Sequence, residues 1–208
     1  MTYAKSSWAV LADPTRPQVA PPRDRYIYYP GGAEVPETAA VNIRNRSYSI
    51  AVEVDVSEDP AGVLFSHGAR FGGHALYVKD GRLKYVYNFV GDREQIVESD
   101  RDVPSGRVIL GASFAREGDT MPATGTLSLF IDDEQVGEGR IITQPGNFSL
   151  VGEGLNVGRD PGEAVTSDYP GRTPHGFTGG TIKHAIVDIS GDAFVDLELE
   201  ALAMMKRE

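Results

Sequence analysis

The chain has 208 residues, enough for one well-buried domain and short for two. A formal charge of −10 argues against a nucleic-acid partner bound through phosphate neutralisation, and an acidic, solubilising surface is the simpler reading. The sequence contains no cysteine, which removes disulfides, thiolate nucleophiles and cysteine-ligated zinc together.

Residues 1–25 form an extended, proline-rich segment. Pro14, Pro17, Pro21 and Pro22 exclude regular helix and central strand there. Such a stretch suits a linker from an upstream domain or a disordered terminus. Trp8, the only tryptophan, lies within it, and an anchoring role on the sandwich or on a neighbour is expected of it. It carries no basic-then-apolar signal pattern, and no run of eighteen apolar residues occurs in the chain. A cytoplasmic protein without membrane contact is expected.

From residue 26 the texture becomes that of a folded domain running to residue 208. Tyr48, Ile50, Val52, Val54 and Val56 alternate with small and acidic residues, the cleanest half-buried strand in the chain. Asn45-Arg46-Ser47 just before it matches the N-glycosylation pattern, with no secretion signal to give it meaning. Gly62–His67 is a short apolar strand. Leu76–Lys79 and Arg82–Phe89 meet at Asp80-Gly81, a dipeptide suited to a type I′ hairpin turn because both positions need positive φ. Leu83, Tyr85, Tyr87 and Phe89 fall on one face of the second strand, opposite Arg82, Lys84, Val86 and Asn88.

Further strands are expected at Gln95–Glu98, Arg107–Phe114, Thr124–Ile131, Gln135–Ile141, Leu155–Gly158 and Thr181–Ile189. Those at 124–131 and 135–141 form another hairpin around Asp132-Asp133-Glu134. Phe194–Arg207 differs: Val195, Leu199, Leu202 and Met205 make a helical stripe, and Lys206 and Arg207 suit the helix dipole. A short C-terminal helix is expected there, or else a strand at 194–199 followed by helix. Many short strands with little helix between them predict an all-β jelly-roll β-sandwich.

Several separate blocks, in order, carry a family resemblance. They are RPQVAPPRDRYIYYPGGAEVPE at 16–37, VNIRNRSYSI at 41–50 and GVLFSHGARFGGHALYVKDGRLKYVYNFVG at 62–91. TGTLSLFIDDEQVGEGRIITQPGNFSL at 124–150, GEGLNVGRDPGEAVTSDYPG at 152–171 and FTGGTIKHAIVDISG at 177–191 continue it. The chain resembles the C-terminal domain of bacterial, actinobacterial-type arylsulfatases. The resemblance implies a concanavalin A-like sandwich, similar to laminin-G and legume-lectin domains. It also implies an upstream α/β sulfatase domain bearing a Cys-or-Ser-x-Pro-x-Arg motif, which these residues lack. No catalytic residue carries over. The role implied is a non-catalytic accessory domain whose partner is a sulfatase catalytic domain, upstream or in trans. An autonomous, lectin-like carbohydrate-binding module is the alternative.

Three groups of residues are candidates for site chemistry. Arg70, His74, Tyr77, Tyr85 and Tyr87, with Lys79 and Asn88, offer an aromatic-polar surface for carbohydrate or for a partner. The simpler reading puts Tyr85 and Tyr87 in the core with their hydroxyls at its rim. Asp160, Glu163 and Asp168 in the loop GRDPGEAVTSDY offer oxygen ligands to calcium, a weaker alternative to the expectation of no cofactor in this chain. Their spacing is not that of an EF-hand, and a solvated acidic loop is the simpler reading. The four histidines, His67, His74, His175 and His184, include no pair at helical zinc spacing. Paired acids such as Glu98 with Asp100, or Glu153 with Asp160, could serve a glycosidase, but no motif selects them.

Overall fold

A computed structural model of the chain describes residues 23–148 and 153–189. Ten strands account for its regular structure: β1 Arg25–Tyr28, β2 Tyr48–Ala69, β3 Gly72–Lys79, β4 Arg82–Phe89, β5 Arg93–Asp102, β6 Gly106–Glu117, β7 Ala123–Ile131, β8 Glu134–Thr143, β9 Leu155–Val157 and β10 Thr178–Ile189. All strand pairings are antiparallel. The described residues contain no helix. The helix expected at 194–207 and the extended segment expected at 1–25, Trp8 included, lie outside them apart from residues 23–25.

The strands form an all-β sandwich. One sheet runs β1-β10-β2-β6-β7-β8 and the other β5-β4-β3-β2-β9. The 22-residue β2 belongs to both. Its first half, Tyr48–Val56, lies between β10 and β6; its second half, Gly62–Ala69, lies between β3 and β9. Residues 48–56 and 62–67, expected as two strands, are thus one strand that passes between sheets. Gly62 allows the passage: its φ is +102°, and a side chain there would overlap the carbonyl oxygen of Gly176.

The core lies between the sheets. Ile50, Val52 and Val54 of β2, Leu110 and Phe114 of β6, and Leu127 and Leu129 of β7 come from one side. Leu76 and Val78 of β3 with Leu83, Tyr85 and Tyr87 of β4 come from the other. The period-two pattern places these side chains inward, and their burial is the main driving force for the fold. Near β5 and β8 the layers approach closely: side chains at Gly137 and Gly139 of β8 would crowd Glu98 and Val97.

The outer face of the second sheet is covered as well. Val63, Ala75, Tyr77 and Val86 form a second apolar cluster with Val165 and Tyr169 of the segment 158–176. This explains why β3 is buried on both faces, from Gly72 to Val78.

Candidate functional site

The residues singled out from the sequence separate into three environments. Tyr85, Tyr87 and His74 face the interior and are at most 1% exposed. The Tyr85 hydroxyl bonds that of Tyr48 at 2.6 Å, and the Tyr87 hydroxyl accepts the Gln144 backbone N–H at 2.8 Å. They therefore present no aromatic surface to solvent. Tyr77 points to the opposite face, yet it too is fully buried, packed against the Tyr169 ring at 5.1 Å. Arg70 lies in the exposed β2–β3 turn, stacks over Phe71 and reaches Glu163 at 3.4 Å.

The segment 158–176 acts as a strap over this outer face. Asp168 is its anchor. Its carboxylate accepts hydrogen bonds from the Tyr77 hydroxyl at 2.7 Å, the Lys79 ammonium at 2.6 Å and the Lys84 ammonium at 3.1 Å. Partial burial alone would raise its pKa, but these donors outweigh that and hold it at about 2. Lys84 also pairs with Glu98, and the Asn88 side chain donates to the Val165 carbonyl. Asp160 sits inside the strap and accepts the Val165 backbone N–H at 3.1 Å. Burial pushes its pKa up to about 6.

The three carboxylates considered for calcium are thus engaged separately: Asp160 within the strap, Glu163 beside Arg70, and Asp168 on two lysines. Among the described residues, no three His, Asp or Glu side chains converge to hold a metal ion. The acids considered for a glycosidase are dispersed in the same way. Asp100 pairs with its neighbour Arg101, and Glu153 accepts the Glu163 backbone N–H.

A different place collects unspent hydrogen-bonding capacity. His67 of β2 and His74 of β3 stand directly opposite in register, ring centroids 5.6 Å apart. Each is 1% exposed, and none of their four ring nitrogens has a hydrogen-bond partner. Around them stand Phe65, Tyr48, Tyr85, Tyr87 and Phe148. Burial, then the positive charge of Arg44, lowers the His67 pKa to about 3. Burial, then the neighbouring His67, lowers that of His74 well below the usual range. Both rings are neutral at physiological pH, so each carries one donor and one acceptor.

His67 also lines a pocket of about 270 Å³ with mixed polar and apolar walls. Its walls come from the loop 37–44 and from Asn147 and Phe148 after β8. The loop is shaped by its own bonds. Tyr28 accepts the Val41 N–H through its hydroxyl, and the Asn42 side-chain oxygen receives both the N–H and the Nε of Arg44. The Arg44 Nη1 reaches the Asn147 side-chain oxygen at 2.6 Å. Opposite, the Glu37 carboxylate accepts the Phe148 backbone N–H at 2.6 Å. The acceptor oxygens of Asn42 and Asn147 are therefore committed to Arg44.

Sequence reasoning named His67 but did not join it to these walls. One signal was available: His67 and His74 flank Arg70-Phe71 symmetrically, so a hairpin turn there pairs them. Nothing in the sequence draws residues 37–44 to 147–148, which are about a hundred positions apart.

No family model and no curated relative matches the chain. Solved structures show loose likeness. A CBM40 domain of the Ruminococcus gnavus IT-sialidase, bound to alpha2,6 sialyllactose, is 13% identical with a TM-score of 0.47, covering 86% of this chain and 97% of that one. The mouse laminin alpha1 chain, domains LG4-5, is 12% identical with a TM-score of 0.43, over 84% and 41%. The Caenorhabditis elegans galectin LEC-6 is 8% identical with a TM-score of 0.43, over 81% and 97%. At such identities no residue correspondence follows, and the site rests on the geometry of this chain.

Proposed function

We propose that this chain is a non-catalytic, lectin-like carbohydrate-binding module whose ligand enters the pocket between loop 37–44 and Asn147–Phe148. The observation that carries the reading is a pocket of mixed polar and apolar lining that brings Asn42 and Asn147 together beside the buried, neutral His67. Sugar hydroxyls both donate and accept, which matches the side-chain amides of Asn42 and Asn147 on this lining.

The resemblance to arylsulfatase C-terminal domains supports a setting for such a module beside a catalytic domain. Binding then holds a glycan near chemistry performed elsewhere. The reading is tested by presenting a glycan array to the full chain and following positives by calorimetry. Saturable binding that survives chelation of divalent cations is expected, because the polar lining of the pocket consists of side-chain amides and already paired charges. A flat response across the array would overturn it.

A further inference from the structure

A buried ionisable pair without partners is costly to charge, and here the residue that seals the pair also walls the pocket. We infer that the His67–His74 pair and the segment 145–148 over it form an acid-operated latch: a proton on either ring drives Phe148 off the β2–β3 hairpin and dismantles the pocket, while the sandwich stays folded. The device acts on the pocket wall and does not depend on which ligand the pocket takes.

The seal is close. Phe148 packs on both rings, 4.8 Å from His67 and 5.3 Å from His74 between centroids. It comes so near the hairpin that a side chain at Gly68 would overlap its Cβ, at 2.7 Å. The segment is rooted at Gln144, whose N–H donates to the Tyr87 hydroxyl and whose side-chain oxygen accepts the Val90 N–H. Beyond that root, Phe148 donates its N–H to Glu37 and Asn147 accepts from Arg44. Neither bond belongs to a strand ladder, because β8 ends at Thr143. Phe148 can therefore leave without breaking either sheet, as a unit that opens locally must.

The groups that face the pair offer no counter-charge in contact with it. From β2 and β4, the Tyr48 and Tyr85 hydroxyls bond each other, and that of Tyr87 takes the Gln144 N–H. From the loop, Arg44 carries like charge, and the Glu37 carboxylate is engaged with the Phe148 N–H and reaches neither ring. Each imidazole, once charged, also opposes the other at 5.6 Å. The closed form thus keeps both rings neutral far below their ordinary value of 6.5. When Phe148 leaves, the rings meet water and bind protons at that ordinary value. Closure is therefore fully supported above pH 6.5 and is lost as pH falls toward the closed His67 value of about 3. Neither Asp168, which acts below pH 4, nor Asp160, whose effect has the opposite sign, imitates this loss.

Hydrogen exchange of the full chain, read as protection corrected for intrinsic rate, tests the latch between pH 6.5 and 4.5. Over that interval an opening that releases one ring becomes about fiftyfold more populated, and one that releases both rises further. The Phe148 amide should lose protection by at least that factor, while the amides of β6 and β7 keep theirs. The double variant His67→Phe with His74→Phe should show no such loss, since it keeps Glu37 but neither imidazole. Should that variant misfold, ring-nitrogen NMR of the wild type replaces it: protonated His67 or His74 signals should appear in step with the loss at Phe148. Constant protection at Phe148, a loss that persists in the double variant, or a loss spread evenly through β6 and β7 would each overturn the latch. So would protonated ring signals while Phe148 stays protected.

Discussion

Tyr48 and Tyr85 join their hydroxyls at 2.6 Å across the interior, one from β2 in the first sheet and one from β4 in the second. Both are fully buried, so each hydroxyl depends on the other. Replacing Tyr85 with Phe leaves the Tyr48 hydroxyl without its partner and should lower stability by about 1–3 kcal/mol. Replacing both with Phe removes two polar groups together and should cost less than the two single changes summed. A double-mutant cycle by urea denaturation reads the difference, and strict additivity would show that the bond couples nothing.

The strap over the second sheet depends on Asp168. Its carboxylate joins Tyr77, Lys79 and Lys84, all on strands beneath it. Asp168→Asn should cost about 2–3 kcal/mol, because Lys84, itself only 12% exposed, loses one of its two anionic partners. Amides in 158–176 should exchange faster in the variant, while those of β6 and β7 should not. The pH dependence has a definite sign. The folded pKa of about 2 lies below the ordinary 3.8, so this stabilisation is present above pH 4 and is lost as pH falls toward 2. The variant should therefore show a shallower acid limb than the wild type.

Much of this architecture was legible in the residues. Alternation along 82–89 placed Tyr85 and Tyr87 on one face and Lys84, Val86 and Asn88 on the other, and that division is the observed one. Asp80 and Gly81 both have positive φ, 52° and 77°, as a type I′ turn demands. What stayed hidden depends on tertiary structure. β1, with sequence RYIY, is a half-exposed edge strand following prolines, and it gains strand character only by pairing with β10. The passage of β2 between sheets reads locally as a break, because residues 57–61 are polar or small. The pocket is less legible still, since its walls come from two loops and its histidine from a strand.

The passage of β2 between sheets gives a sharp steric test. At Gly62 positive φ and close approach to the Gly176 carbonyl act together. At Gly106, φ is +100° but nothing lies within 4 Å of the missing side chain. Gly106→Ala should therefore show backbone strain alone, about 1 kcal/mol. Gly62→Ala should cost about 3 kcal/mol or more, since strand and strap cannot both keep their places. Thermal denaturation of the two variants separates the contributions, and equal losses would show that the contact with Gly176 is easily relieved.

Asp160 should oppose Asp168 in its dependence on pH, although both belong to the same strap. Burial raises its folded pKa to about 6 from 3.8, with Glu153 adding to the shift and the Val165 N–H and His175 working against it. Between pH 4 and 6 the folded protein keeps a proton that the unfolded chain has released. This contribution is fully present below pH 4 and is lost as pH rises through 6. Asp160→Asn keeps an acceptor for Val165 but cannot ionise. It should match the wild type near pH 4 and gain on it by about 2 kcal/mol by pH 7. Urea titrations of the two proteins at pH 4, 5, 6 and 7 measure the gap directly. A gap that stays constant across that range would mean the carboxyl is ionised throughout, and that the strap tolerates a buried charge at its centre.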